Sequence, residues 1–215
     1  VKQIAYFLLQ RDVSEIDKYL EPIIPFLRAT EETAHFIEEL VTAENYLNKH
    51  DQFWHIWNLL YPKIKELCEI AEDHYLSNVI VNYLLAWQYW KDGVKEWRSL
   101  KRSDVSFFAK ASEDFGNIPA TLYSIARVLN TIGSNYDNDG IEWLSTIVSK
   151  NSSLELEDLE KYTLYYMEDF MRKFVFGNRQ RIKETLRLKN MVVDILDFMV
   201  ERGSTHGYLL RESIL

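Results

Sequence analysis

The chain has 215 residues, of which 47% are hydrophobic and 14% aromatic, and its formal net charge at pH 7 is −8. This composition excludes a disordered chain because it supplies enough apolar surface for a core, and seven glycines and four prolines are too few for turn-rich β-sandwiches or barrels. The acidic balance disfavours general nucleic-acid binding, which depends on Lys and Arg neutralising phosphates.

Two further features limit the class of protein. The single cysteine, Cys68, cannot form an internal disulfide, which agrees with a reducing, cytoplasmic compartment. The longest apolar stretch, 79–87, is far shorter than the roughly 20 residues that span a bilayer. We therefore expect no membrane span.

Prolines and capping residues divide the first part of the chain. Hydrophobic residues recur there at the helical period of 3.6. Pro22 and Pro25 separate a short helix from the next element, and Thr30 is a suitable N-cap for a helix that runs to about Lys49. Pro62 lies inside the following amphipathic segment, where it predicts a kink or the start of a new helix.

The middle of the chain contains the most apolar segment. From Tyr75 to Trp90 the sequence is apolar nearly all round, which is typical of a central helix packed on several sides. Ser103 or Asp104 is then predicted to cap a short helix that ends at Gly116, and Asn117 to cap the next one.

Three further helices are predicted towards the end of the chain. Asp139 and Gly140 open a helix that ends near Asn151. Of the two long helices that follow, the first is expected to end near Gly177 and the second at Gly203. The total is roughly ten to twelve helices with short connections.

This pattern predicts an all-α fold of antiparallel helix pairs stacked side by side. We find no fixed repeat period, so a regular tetratricopeptide or ankyrin array is not supported, whereas a degenerate HEAT-like or TPR-like solenoid or an irregular bundle is. The chain is treated as one domain, 1–215, with two subdomains, 1–102 and 103–215, as the alternative. Because it begins at Val1 without an initiator methionine, we expect it to be part of a longer protein.

Two partial metal motifs are present, and neither is complete. Glu32 and His35 have the spacing found in di-iron bundles, but the required second copy is missing. The segment 135–140 matches the first half of a calcium loop, yet Thr146 stands where a bidentate glutamate should close the site. We predict a solvated helix face and a helix-capping turn, with no metal and no cofactor.

Catalytic motifs are also missing. The sequence has no nucleophile elbow, no glycine-rich phosphate loop and no zinc-protease motif. The remaining candidate for a ligand pocket is an acidic and aromatic cluster around Glu69, Asp73 and His74. We predict that the chain is not an enzyme and keep a helical enzyme or ligand pocket at this cluster as the alternative.

Charge is distributed unevenly along the chain. Seven basic residues and one acidic residue lie between positions 172 and 189, so this segment carries +6 while the remainder carries −14. We call the seven basic residues the basic stripe: Arg172, Lys173, Arg179, Arg181, Lys183, Arg187 and Lys189. Such a stripe is a solvated face with internal ion pairs, a contact surface for a protein partner, or a phosphate-binding surface.

Tryptophans form a second candidate surface. Trp87 and Trp90 are three positions apart and share one helix edge, and with Trp97 they run into basic residues up to position 102. Such residues pack in a core or provide an interaction hot spot. We keep both interpretations for this aromatic surface.

Short strings in the second half of the chain carry a family resemblance. They are Asn130-Thr131-Ile132-Gly133, Tyr165-Tyr166, Glu201-Arg202-Gly203-Ser204 and Tyr208-Leu209-Leu210-Arg211-Glu212. With them the chain resembles the C-terminal helical arm of large bacterial P-loop NTPases of the STAND-like, defence-associated kind. The resemblance implies that this chain recognises a partner, and that the NTPase core that performs the chemistry lies elsewhere.

These observations favour a non-catalytic helical-repeat domain that binds a protein partner. The sequence leaves the identity of the partner and the oligomeric state open. A structural spacer within a larger chain is the third hypothesis.

Overall fold

The computed structural model describes residues 2–47, 49–70, 102–130 and 137–215. Every regular element in these ranges is helical, so the predicted all-α class is confirmed. The chain divides into two compact units, Val1–Glu96 and Trp97–Leu215. The predicted central helix, Tyr75–Trp90, and the tryptophan surface of Trp87, Trp90 and Trp97 lie outside the described residues.

The described helices of the first unit come from the N-terminal 70 residues. They are α1 (Lys2–Leu9), α2 (Val13–Leu20), α3 (Glu31–Leu47) and α4 (His50–Ile70), with a short 3-10 turn at Ile24–Phe26. Helix α1 packs on α3, and α2 packs on α4. Phe53 and Trp57 of α4 are fully buried and stack on one another with ring centroids 5.6 Å apart, so α4 supplies much of this core.

Helix α4 passes through Pro62 without interruption. The expectation of a second helix beginning there is therefore wrong. A proline removes one main-chain hydrogen bond, here the one to the carbonyl of Asn58 four residues earlier. Both residues are on the exposed face, where water can satisfy that carbonyl, and the buried face of the helix stays continuous.

The described helices of the second unit span the C-terminal half of the chain. They are α5 (Arg102–Phe115), α6 (Pro119–Leu129), α7 (Asp137–Lys150), α8 (Thr163–Glu184), α9 (Leu186–Glu201) and α10 (Thr205–Ile214), with a 3-10 turn at Leu156–Asp158. A helix able to span a bilayer is not found within the described ranges of either unit.

The second unit is built from two layers of helices. Helices α5, α7 and α9 pack side by side in one layer, and α6, α8 and α10 do so in the other. Each helix therefore packs against the next but one along the chain, and the layers are joined by contacts such as those of α6 with α7 and α9 with α10.

Neighbouring helices within a layer run in the same direction. Arg187, at the start of α9, bonds Glu142 in the first half of α7, with Nη2 and Oε1 3.1 Å apart. In the other layer the rings of Tyr123 and Tyr166, each in the first half of its helix, have centroids 5.8 Å apart. When antiparallel helix pairs stack one after another, the equivalent helices of neighbouring pairs run parallel, and this is the arrangement within each layer.

Predicted and observed boundaries are close at two helix ends of this unit. The N-cap of α6 is Ile118, one residue after the predicted Asn117, and no side chain caps that end. The first long helix has a kink directly after its predicted end at Gly177, because Asn178 has a non-helical φ of −123°, and a further helical segment then continues to Glu184. The Asn178 amide donates to the Phe174 carbonyl at 3.0 Å, so the side chain supplies a hydrogen bond at the bend.

The C-terminus of α5 is closed by side chains from the following helices. The Thr121 hydroxyl donates to the Phe115 carbonyl at 2.6 Å, and the Asn151 amide donates to the carbonyls of Gly116 and Ile147. Asn151 is buried, and it joins the ends of α5 and α7. These bonds satisfy carbonyls that a helix end leaves without an intrahelical partner.

We expect Asn151→Ala to lower the free energy of unfolding by about 1 to 3 kcal/mol, because buried carbonyls lose their donor. Urea denaturation followed by circular dichroism would measure the change. The exposed Asn190→Ala is the matched control and should change stability by less than about 0.5 kcal/mol. Equal effects of the two substitutions would contradict the proposed role of Asn151.

Gly140 allows α7 to approach two helices of the other layer, α6 and α8. A Cβ atom at this position would overlap a methyl group of Leu129 on α6 and lie 3.2 Å from the ring of Phe170 on α8. The sequence prediction that Gly140 lies near the start of a helix is correct, but the residue serves close packing as well as helix initiation.

We expect Gly140→Ala to destabilise the chain by about 1 to 3 kcal/mol through overpacking, measured by thermal and urea unfolding. Gly177→Ala is the control, since a Cβ there would meet nothing within 4 Å. That variant should be neutral or stabilising by up to about 1 kcal/mol, because alanine favours helix over glycine. If Gly140→Ala left the free energy of unfolding unchanged, the expectation would be wrong, because α7 could then move away from Leu129 and Phe170 without loss of stability.

Candidate binding groove between α8 and α10

Helix α10 is positioned by the turn that ends α9. Gly203 has φ of +87°, a left-handed conformation that favours glycine, and Ser204 caps α10 by accepting a hydrogen bond from the Gly207 N–H at 2.8 Å. The buried Arg202 donates to the carbonyls of Phe198 and Ser152 at 2.8 and 3.0 Å. The turn is thereby fixed to the end of α9 and to the loop that follows α7.

Side chains of α8 hold both ends of α10. At its N-terminus the Glu168 carboxylate accepts a hydrogen bond from the Ser204 hydroxyl at 2.5 Å and lies 3.5 Å from Nδ1 of His206. At its C-terminus Arg179 donates to the Ser213 carbonyl at 2.9 Å. A carboxylate at the N-terminus and a guanidinium at the C-terminus both complement the helix dipole. The same contacts show that α8 and α10 run in the same direction.

A groove of about 410 Å³ lies between these two helices. The residues that line it are Tyr165, Glu168, Asp169, Arg172 and Phe176 of α8, and His206, Leu209, Leu210 and Ser213 of α10. Tyr165, Phe176 and Leu209 are 62%, 68% and 60% exposed, whereas Leu210 is buried. The groove is therefore bordered by large apolar side chains that remain accessible to solvent.

Charged side chains are arranged along the groove. Arg172 and Lys173 each approach Asp169 to 2.6 Å. Desolvation raises the pKa of the Asp169 carboxyl, but hydrogen bonds from Lys173 and Arg172 and their charges outweigh it, so the pKa lies below its ordinary value. The acidic residues are nearer to Tyr165 in α8, and the basic residues are nearer to Phe176.

The structure distributes the basic stripe over two sides of α8 and α9. Arg172 lines the groove, and Arg179 holds the end of α10. On the other side, Arg181 donates to the Asn138 side chain at 2.5 Å, and Arg187 pairs with Glu142, both acceptors belonging to α7. Two of the seven, Lys183 and Lys189, are respectively exposed and half-buried. Arg179 is therefore bonded to α10, whereas Arg181 and Arg187 are bonded to α7.

Sequence reasoning missed the residues that α10 brings to the groove. The helix itself was not predicted, although Ser204 after Gly203 is a helix-start signal and Leu210 and Ile214 have helical spacing. Tyr165 was noted only within a family resemblance, and the exposed Phe176 and Leu209 carry no signal of their own in the sequence.

The first partial metal motif lies within the described residues, whereas the second, 135–140, is described only from Asp137 onwards. Nδ1 of the exposed His35 lies 3.1 Å from the carboxylate of Glu38, which is half-buried. Asp137, Asp139 and Gly140 form the first turn of α7, which is helical where a calcium loop would need an open loop. No cluster of three or more His, Cys, Asp or Glu side chains suited to a metal ion occurs among residues 2–47, 49–70, 102–130 and 137–215.

The alternative ligand pocket was expected at Glu69, Asp73 and His74, and the structure describes one of these three residues. Glu69 is exposed near the end of α4, with its Oε1 3.9 Å from the Lys65 ammonium. Asp73 and His74 lie outside the described residues. The described part of this cluster is therefore a solvent-accessible ion pair between two residues that lie one helical turn apart.

The chain was compared with models of protein families and with curated proteins. No family model matches it, and none of the curated proteins matches it significantly.

We expect Asp169→Asn to be less stable than the parent chain at pH 7 by up to about 1 kcal/mol, because its partners are largely exposed. The folded-state pKa of Asp169 is depressed, so its stabilising contribution is present above the unfolded value near pH 4 and is lost as the pH falls through the lower folded value. Urea denaturation across this range would measure the difference, with the exposed Asp194→Asn as control. A difference that does not change with pH would contradict an electrostatic origin.

Proposed function

We propose that this chain is a non-catalytic protein-interaction domain and that its partner binds in the groove between α8 and α10. The observation that carries the proposal is the exposure of three large apolar side chains, Tyr165, Phe176 and Leu209, around one groove. Exposed apolar groups that converge on a concavity and have a polar rim are typical of interaction sites. Burial of such anchors dominates the binding energy of protein interfaces.

Internal bonds order the groove before a partner arrives. Glu168 and Arg179 hold α10 along α8, and the Arg202 contacts fix the turn that leads into it. A surface that is already ordered loses little conformational entropy on binding. We therefore propose that the groove selects its partner by the shape of the partner's surface.

The basic residues near the groove belong to the proposed contact surface. Arg172, Lys173 and Arg179 lie on the groove-bearing part of α8, whereas Arg181 and Arg187 have partners on α7. We propose that the first three contact the partner and that the other two mainly join helices. A protein partner is favoured over nucleic acid because the groove is bordered by large exposed apolar side chains, which can be buried against apolar groups of a protein, whereas nucleic-acid binding depends mainly on contacts with phosphates.

The layered second unit suits this role. We propose that its parallel layers are a degenerate HEAT-like repeat and that, as the resemblance to arms of bacterial STAND-like NTPases implies, the chain senses a partner within a larger cytoplasmic protein. Stacked helix pairs present long surfaces for binding without requiring catalytic groups.

We expect Leu209→Glu to weaken partner capture strongly, because the substitution replaces an apolar anchor of the groove with a carboxylate. Affinity purification of the tagged chain from its native cells, with quantitative mass spectrometry, would measure the change. Loss of a hot-spot contact of about 2 kcal/mol corresponds to roughly a 30-fold weaker complex. Leu186→Glu is the matched control, since Leu186 is 73% exposed at the start of α9 and does not line the groove.

Circular dichroism of both variants should show unchanged helical content. Equal recovery of partners by the two variants would reject the groove as the site. Partners that disappear after nuclease treatment would favour nucleic-acid binding instead.

A further inference from the structure

We infer that the groove between α8 and α10 binds an amphipathic α-helix whose polar flank is acidic. This inference rests on the proposed function and specifies the secondary structure, apolar spacing and charge of the partner segment. Three observations carry it: the spacing of the exposed anchors, the internal bonding of the polar groups in the groove, and the charge near Phe176.

The anchors define the length of the bound segment. Tyr165 and Phe176 are eleven positions apart on α8, before its bend at Asn178. At 1.5 Å per residue this separation is about 16 Å, or three helical turns. A partner helix lying along the groove would match it with apolar side chains at i, i+4, i+7 and i+11. Leu209 would contact the same apolar face from the α10 side.

The polar groups of the groove are already engaged within the chain. The Glu168 carboxylate accepts from Ser204, Asp169 accepts from Arg172 and Lys173, and the Ser213 hydroxyl donates to the Leu210 carbonyl at 2.7 Å. An extended peptide would bring its own N–H and C=O groups over apolar anchors and would leave some of them unpaired, at about 1 to 3 kcal/mol each. A helix satisfies these groups internally, which makes helix-in-groove binding the favourable mode.

Positive charge is in excess at the Phe176 end. Arg172 and Lys173 share a single carboxylate, Asp169. Arg179 bonds to a main-chain carbonyl, and among the described residues it has no carboxylate within ion-pair distance. Acidic side chains on the partner helix would complement these cations, as in other charge-matched interfaces.

Selection from two peptide display libraries against the full chain would test the inference. Both libraries hold peptides of roughly 18 residues, about five helical turns. One randomises apolar positions at i, i+4, i+7 and i+11 in a helix-favouring host, and the other is fully random with a central proline that prevents a helix. Enriched peptides are then synthesised, and their affinities are measured by fluorescence anisotropy.

We expect enrichment from the helical library only, with aspartate or glutamate beside the apolar positions near one end. Binding should be micromolar or tighter, should increase the helical circular dichroism of the peptide, and should weaken at high salt because the charges are exposed. Leu209→Glu should weaken it at least about 10-fold and Arg172→Glu about 5-fold, corresponding to 1.4 and 1 kcal/mol. Leu186→Glu should have no effect.

The outcomes separate this inference from the proposed function. Enriched peptides that bind without becoming helical, yet lose affinity with Leu209→Glu, would overturn the inference and leave the groove as a binding site. Peptides whose binding ignores Leu209→Glu would contradict both. Failure of the helical library to enrich would also overturn the inference.

Discussion

The groove depends on the way α8 holds the two ends of α10. Glu168 meets the N-terminus of α10 and Arg179 meets its C-terminus, so each charge lies at the end of the helix dipole that it stabilises. These two contacts act together with the buried Leu210 and Ile214, which pack α10 into the unit, and with the Gly203 turn that joins it to α9. The concavity bordered by Tyr165 and Leu209 depends on the position that these contacts together give to α10.

The packing of the other helix layer against α8 also helps to fix the shape of the groove. Gly140 lets α7 lie close to α6 and α8, and Asn151 joins the ends of α5 and α7 through buried hydrogen bonds. Gly140 sets how closely the layer that contains α7 approaches the layer that contains α8, and Asn151 joins α5 and α7 within their own layer. A surface made by two helices of one layer can keep a constant shape only if the other layer supports it, because side chains in a close-packed interior transmit small shifts.

The distribution of charge shows how tertiary structure changes the meaning of a linear pattern. Along the sequence the basic stripe is continuous, but the bend at Asn178 and the passage from α8 to α9 direct its members to different neighbours. Arg181 and Arg187 face α7, whereas Arg172 lines the groove. Ion pairs of this kind join helices at little net gain in stability when they are exposed. The positive charge of the segment that is not paired within the chain is therefore smaller than its formal +6.

The sequence by itself determined the all-α class and most helix positions, because hydrophobic periodicity and capping residues act over a few neighbouring positions. It also indicated Gly140 as part of a helix start and Gly203 as a helix end, since glycine has a local conformational reason to lie at each. Only the tertiary structure decided that α4 continues past Pro62, that α10 lies along α8, and that Phe176 and Leu209 face a shared groove. These features arise from contacts between residues far apart in the chain, and such contacts leave no periodic signal in the sequence.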